Sequence, residues 1–379
     1  MDRFEIEPRA GWAAKVDALG LLYHQNDDGP YWNESAYYRL TASEVDLLED
    51  ATNELHRLCL LAVQHVIEHN LFDDLKIPNQ AIPWIKHSWE HQTPSIVGRF
   101  DLAFNGVDPP KMLEYNADTP TGLLEAAVVQ WYWLQELFPE SEQFNSLWEG
   151  LVDHWRVIRA SGDLEGNLLH FASADSVEDF MTITALRDTA TEAGFDTDAL
   201  LMREIGWSHA DRIFADVHRR HMRAVFKLYP CEWMLQDEFN VQMFQTFDKT
   251  VWMEPIWKMI LSNKGILPIL WQLFEGHPNL IEAYFDSPRG LKYYAEKPLL
   301  GREGANVSIV APEGNSRNPG RYGGQRSVFQ KYVELPTFHD KRTMIGSWII
   351  GGTSHGIGIR EAPQAITTNL SPFVPHLFD

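Results

Sequence analysis

Ser95–Thr121 reads SIVGRFDLAFNGVDPPKMLEYNADTPT, and the rest of the chain is interpreted outward from it. On its first half Ile96, Phe100, Leu102 and Phe104 fall on one side, and Arg99 and Asp101 on the other. That period of two belongs to a strand. On Lys111–Asn116, Leu113 and Tyr115 share a side, and Met112, Glu114 and Asn116 share the opposite one. Asn105-Gly106 and Asp108-Pro109-Pro110 are turn signals between the two runs. Folded about that loop, the hairpin sets Asp101 opposite Glu114 and Arg99 opposite Asn116. Carboxylates facing each other across a ladder repel, so something must compensate them. One answer is a hard cation such as Mg²⁺, which takes two carboxylates and an amide oxygen and completes its shell with phosphate oxygens. The other is a solvated face on which Arg99 or Lys111 neutralises the acids. Spacing alone leaves both open.

The chain has 379 residues, room for roughly two or three structural units with a full core. Its net charge of −21 argues against nucleic acid and against anionic membranes. Any phosphate site must therefore be a local basic pocket. Two cysteines, Cys59 and Cys231, make neither a disulfide framework nor a zinc site, and they fit a reducing cytosol. The opening MDRFEIEPRAGW has no apolar signal core, and no apolar run reaches the length of a membrane span. A cytoplasmic protein of unspecified oligomeric state is the expectation. Fourteen Trp and twelve Tyr should fill the core and wall its pockets.

Thr41-Ala-Ser-Glu44 is a capping box that opens a helix, and Cys59 lies on that helix's apolar stripe. Gly122–Phe138 and Phe144–Arg159 also read as helices. Leu168–Ala172, a helix capped at Ser176 and a return strand predict a strand–helix–strand unit over 167–206. Arg212–Tyr229 predicts a hairpin, and Glu232–Leu273 mostly helix. After His277 come short strands between glycine- and proline-rich loops, the pattern of an antiparallel sheet. The divisions are 1–166, 167–275 and 276–379, in one compact unit.

Lys297–Asn306, KPLLGREGAN, places a lysine at a strand end before a loop holding Gly301 and Gly304. Glycines let backbone N–H groups approach an anion closely, and lysine is a point charge for phosphate. The Walker pattern GxxxxGK[ST] is absent, and an ordinary glycine turn is the competing reading. Lys264 falls at a helix end with Gly265 as its C-cap. Arg360 ends the run Gly356–Arg360, where it could clamp phosphate or pair with Glu361. No Ser-His-Asp or Cys-His grouping is suggested, and Cys231, after a strand and a proline, reads as structural.

SIVGRFDLAFNG, KMLEYNADTPTGLLEAAVVQW, FKLYPCEWM, MEPIWKMILSNKGILPILW, EKPLLGREGANVSI and GIGIREAPQAITTNLSPFVPH resemble the glutathionylspermidine synthetase family, and more narrowly its synthetase domain. The resemblance runs from Trp12 to His376. It implies an α+β ATP-grasp fold whose C-terminal antiparallel sheet closes over a nucleotide cleft. It also implies an ATP- and Mg²⁺-dependent ligase: a peptide-like carboxylate, glutathione in the characterised type, takes the γ-phosphoryl group, and an amine, spermidine in that type, attacks the acyl phosphate. Carried over by position, Asp101, Glu114 and Asn116 would be metal ligands. Arg99 and Arg360 would stabilise the transferring group. Lys264 and Lys297 would hold nucleotide phosphates, Gly301, Gly304 and Asn306 would form a lid, and Gln330 would sit at the adenine hinge. Thr121 would meet the donor carboxylate. Glu178 and Asp179 would receive the cationic amine, although Asp179 also has a capping position. Cys231 stands where the family pattern expects Trp, and Ala362 where it expects an acid. Those departures bear on substrate identity more than on ATP. No amidase domain of the bifunctional type is expected. A protein that binds ATP without ligating is the alternative. A carbohydrate enzyme with Asp101 and Glu114 as its acid pair is a third.

Overall fold

The computed structural model describes residues 1–26, 29–362, 366–368 and 370–379. The Ser95–Thr121 stretch forms the expected hairpin, Val97–Ala103 and Lys111–Asn116. The hairpin is not a free-standing unit. Val97–Ala103 pairs antiparallel with Lys341–Ile350, which pairs with Thr353–Ala362, which pairs with Phe373–Val374. The first and last parts of the sequence thus share one antiparallel sheet. Gly346 lies opposite Asp101 and Trp348 opposite Arg99. A β-carbon at Gly346 would come within 2.9 Å of Arg99 Cδ, so glycine leaves the arginine its place on the sheet.

Ala42–His69 forms a helix with the full Thr41/Glu44 capping box, and its apolar stripe, Cys59 included, is buried against the 341–350 and 353–362 strands. The 122–138 segment is helical, with a π-turn at Glu125–Val129 ahead of Gln130–Leu137. Leu147–Ser161 is the next helix.

The strand–helix–strand unit is present. Leu168–Ser173 and Asp196–Leu201 run parallel, with Val177–Glu192 crossing between them. Two expectations nearby are corrected. Ala224–Leu228 is not the second strand of a hairpin but a central strand of this parallel sheet, lying between Leu168–Ser173 and Val251–Met253. All five of its residues are buried, the signature of a strand covered on both faces. Ile213–Ala215 pairs instead with Gly206–Ser208. The 232–273 segment is a series of short helices interrupted by the Val251–Met253 strand, because β-forming residues and Pro255 break the helical run. Gly265 is no left-handed C-cap: it is the N-cap of Ile266–Leu273, at φ −61°. Its lack of a side chain serves packing, since a β-carbon there would meet Leu75 Cδ2 at 2.6 Å.

Of the strands expected after His277, those at 293–299, 307–310 and 328–332 form an antiparallel sheet in the order Ala283–Phe285, Ser327–Lys331, Tyr294–Pro298, Ser308–Ala311, Gly314–Arg317, whereas those at 345–350 and 356–360 are parts of the long Lys341–Ile350 and Thr353–Ala362 strands of the hairpin's sheet. The architecture is a mixed α/β fold: two large antiparallel sheets and a parallel, helix-crossed sheet, with a smaller mixed sheet of Asp2–Glu5, Ala36–Leu40 and His376–Phe378.

Candidate active site

The hairpin register is the one that the turn implies, with Arg99 opposite Asn116 and Asp101 opposite Glu114. Beyond that rung a β-bulge intervenes, and Leu102 faces Met112. The extra residue reverses the outward alternation. Met112 is fully buried in the core, while Leu113 lines the cleft beside Glu114, the opposite of the expected sides.

Each facing acid has its own cation. Arg99 Nε donates to Asp101 Oδ1 at 2.7 Å, and Nη2 to Oδ2 at 3.2 Å. Burial raises the Asp101 pKa against the pull of Arg99. Lys264 Nζ stands 2.9 Å from Glu114 Oε2. Burial opposes ionisation of Glu114, but Lys264 and Lys297 beside it hold its pKa at about 2. Burial in turn lowers the Lys297 pKa to about 8. The Asn116 amide nitrogen bridges the acids, 3.1 Å from Asp101 Oδ2 and 3.3 Å from Glu114 Oε1. Asp101, Glu114 and Asn116 therefore converge on one point.

The more distant candidates reach the same cleft. Lys264 Nζ also donates to the Gly301 carbonyl at 2.7 Å. Lys297 Nζ donates to the Leu113 carbonyl and to Gln330 Oε1, at 2.9 and 2.8 Å, and Gln330 Nε2 donates to the Met112 carbonyl at 3.1 Å. Gln330 thus spends both ends of its amide on protein. Lys297 and Gln330 line a cavity of mixed polar and apolar character with Val307, Ile309 and Leu335, and Asp101 and Glu114 form its border with a second cavity of ≈ 310 Å³. Around that second cavity stand Arg99, Asn116, Thr121, Glu178, Asp179, Gly304 and Arg360. Arg99 Nη1 donates to the Thr121 carbonyl at 2.5 Å. Arg360 lies 4.3 Å over the Phe373 ring and donates to the Thr368 carbonyl. It does not pair with Glu361, whose carboxylate accepts from Arg3 and Tyr38.

Glu178 and Asp179 form a second acidic pair across this cavity. Asp179's place in the cap uses its backbone N–H, which donates to Ser176 Oγ at 3.3 Å, so its carboxylate is free for the cleft. Burial, with Glu178 and Glu303 beside it, raises the Asp179 pKa to about 7. Glu178 Oε1 is buried without a hydrogen-bond partner.

The glycine loop turns through positive φ at Glu303, Gly304 and Asn306 (56°, 70° and 58°), a conformation that glycine and asparagine tolerate best. Asn306 does not reach the cleft contacts: its Oδ1 accepts from the Tyr322 N–H at 2.7 Å and braces the loop from behind. The loop is pinned at a residue that sequence reading passed over. Arg302 donates to Glu232 Oε1 and to Thr119 Oγ1, each at 2.7 Å. Beneath it lies a buried ion pair equally unforeseen, Asp118 with Lys227 at 2.5 Å. A lysine inside the apolar run Ala224–Leu228 was the signal available, since a fully buried lysine needs an acid. Cys231 is structural as expected: it is buried, and its backbone N–H donates to Asp118.

Among the described residues no three His, Cys, Asp or Glu side chains are grouped to hold a metal ion. The donor set at the hairpin is two carboxylates and an amide. No helix of the described residues is long and apolar enough to cross a membrane.

The family model of glutathionylspermidine synthase matches residues 3–379. A Haemophilus influenzae protein named as an acid–amine ligase is 38% identical over 376 residues, covering 95% of each chain. The Escherichia coli bifunctional glutathionylspermidine synthetase/amidase is 27% identical over 400 residues, covering 96% of this chain and 63% of that protein. Crithidia fasciculata trypanothione synthetase is 28% identical over 346 residues, covering 84% of this chain and 53% of that protein. This chain therefore spans little more than half the length of these last two relatives. In fold it is similar to a glutathione synthetase-like effector from Globodera pallida, with a TM-score of 0.60 at 9% identity over 99% of this chain and 98% of the other. With a family model spanning almost all of it and a relative 38% identical from end to end, the chain belongs to the glutathionylspermidine synthase family, and its class of chemistry is acid–amine ligation.

Proposed function

We propose that the chain is an ATP- and Mg²⁺-dependent ligase of ATP-grasp type that joins a peptide-like carboxylate to an amine through an acyl phosphate. The observation that carries this reading is the shared border of the two cavities. Asp101 and Glu114 line both, with Lys297 and apolar walls on one side and Arg99, Arg360, Glu178 and Asp179 on the other. On this reading the nucleotide belongs to the first and the two organic substrates to the second. The acids between them sit where a phosphoryl group must pass.

The residues suit the ion. Asp101 and Glu114 offer hard oxygen donors, the Asn116 amide N–H now holds the point between them, and turning that amide over would present its oxygen to an ion there. Bound by these three, Mg²⁺ would neutralise phosphate oxygens during transfer. The protein's own groups supply the rest. Lys264 and Lys297 hold positive charge beside Glu114 for the phosphate chain. Arg99, clamped bidentate by Asp101, and Arg360, set over Phe373, present fixed guanidinium groups to the anionic transition state. Thr121 lies beside Arg99 at the place for the donor carboxylate. Glu178 and Asp179 receive a cationic acceptor, glutathione-like donors and polyamine-like acceptors being the first pair to try. The test is ADP release in Mg·ATP across panels of short peptides and amines, with mass spectrometry of the products. ATP turnover that never rises with any pair, or rises without a condensed product, would sink the ligase reading in favour of a non-ligating ATP-binding protein.

A further inference from the structure

Thr119 and Glu232 are far apart in sequence, yet each lies one residue beyond a contact that joins them. Asp118 Oδ2 accepts from the Cys231 backbone N–H at 2.8 Å, and Asp118 Oδ1 accepts from Lys227 Nζ at 2.5 Å. Asp118 is 0% exposed, Lys227 1% and Cys231 2%. The Asp118 N–H donates to Ser262 Oγ at 2.8 Å, which ties the same point to the segment carrying Lys264. The next residue on each strand of this contact then turns to the cleft. Thr119 Oγ1 and Glu232 Oε1 take opposite edges of one guanidinium, that of Arg302. The result is a ladder of two rungs, Asp118–Cys231 within the core and Thr119–Arg302–Glu232 at its surface.

A buried ion pair is a poor source of stability, because desolvation of both charges offsets their attraction, and apolar replacements often serve as well. What this pair does fix is register. It aligns the end of the hairpin's second strand with the end of the central parallel strand, so that Thr119 and Glu232 sit side by side. We propose that Asp118 and Lys227 are positioning residues: they build the seat for Arg302, and through Arg302 they set the glycine loop over the cavity lined by Arg99, Asp101 and Glu114. The consequence for turnover rests on the ligase reading, whereas the seating itself does not.

The test is hydrogen–deuterium exchange of the full chain, comparing amides in 299–306 with those of the 97–103 strand. Thr119→Val and Glu232→Gln remove one side of the seat each. Lys227→Met paired with Asp118→Asn removes both buried charges and leaves an acceptor for the Cys231 N–H, which avoids an unpaired charge in the core. Loss of charge-assisted hydrogen bonding of this kind should speed loop exchange about tenfold in Glu232→Gln and in the paired variant, and less in Thr119→Val, with the 97–103 strand unchanged. Loop exchange at the wild-type rate in the folded paired variant overturns the positioning role. If that variant does not fold, wild-type exchange in Glu232→Gln and Thr119→Val overturns the seat itself. Where a substrate pair gives turnover, adding Glu232→Gln to the paired variant should lower kcat no further than the worse of the two alone. Additive losses would show that the buried pair acts elsewhere. Failure to find any substrate pair would count against the ligase reading and leave the exchange result standing.

Discussion

Two acidic pairs share one cavity and differ in the cations that the protein gives them. Asp101 and Glu114 are each matched by a cation: Arg99 grips one, and Lys264 and Lys297 hold the other ionised down to about pH 2. Among the described residues neither Glu178 nor Asp179 is paired with a cation, Arg302 only partly offsetting the charge at Asp179. A Glu178 oxygen is buried without a hydrogen bond, and the Asp179 pKa is raised to about 7. The first pair is balanced from within the protein and can accept a metal only together with anionic phosphate. The second lacks a cation, which the acceptor amine would bring. The same side-chain chemistry thus serves two tasks because its neighbours differ.

The sharpest way to break this contrast is to remove an acid from the balanced pair. Asp101→Asn leaves Arg99 buried without its carboxylate and takes away a candidate metal donor. ADP release should fall by roughly 10³-fold, with little recovery at high amine. A loss under about tenfold would mean that the hairpin acids are only structural. Removing an acid from the unbalanced pair should act differently. Glu178→Gln is expected to raise the KM for the amine by about 10–100-fold, the range for one charge-assisted hydrogen bond, while leaving the KM for ATP alone. Steady-state kinetics with each substrate varied in turn separates the two outcomes, and a change in the KM for ATP instead would erase the distinction drawn between the pairs.

How much of this was legible before the structure follows from the range of each interaction. The hairpin could be read because its signals are local: alternation over a few residues, and a turn that sets the register. The bulge could not, since the alternation of Lys111–Asn116 continues smoothly through it, and only the partner strand shows that two residues oppose one. From sequence Ala224–Leu228 reads as a hairpin strand, because the acid that neutralises its buried Lys227, Asp118, lies 109 positions away. Arg302 stood inside a quoted block and carried no signal, its partners being 70 and 183 residues off. Gly301, Gly304, Lys264 and Lys297 stand out by residue type alone, and the structure sets Lys264 on the Gly301 carbonyl, whereas Asn306 braces the loop from behind.

The balanced side also has a pH signature. The Lys297 pKa is lowered to about 8, chiefly by burial, so its charge is present below that pH and lost above it. The KM for ATP should rise as pH passes from 7 to 9, by up to about tenfold per unit beyond the pKa, as expected for one titrating contact. Lys297→Met should show a high KM that no longer varies over this window. A wild-type KM for ATP that stays flat to pH 9 would show that Lys297 does not meet the nucleotide.

The smallest effect concerns stability on the unbalanced side, and its sign is opposite to that of most carboxylates. Asp179 binds its proton more tightly folded than unfolded, because burial and the neighbouring Glu178 and Glu303 disfavour its charge. Its stabilising contribution is therefore complete below the ordinary aspartate range near pH 4 and is lost as pH rises through about 7. Asp179→Asn removes that titration. Thermal melts should show the variant more stable than wild type at pH 8, by a few degrees, with the gap narrowing at pH 5 and closing below about pH 4. A saturating diamine should narrow the gap at pH 8, because a bound cation supplies wild-type Asp179 with the partner that the fold withholds. If the diamine shifts both proteins equally, the acidic pair is not the acceptor's seat, and the contrast between the two sides of the cavity would reduce to one of burial alone.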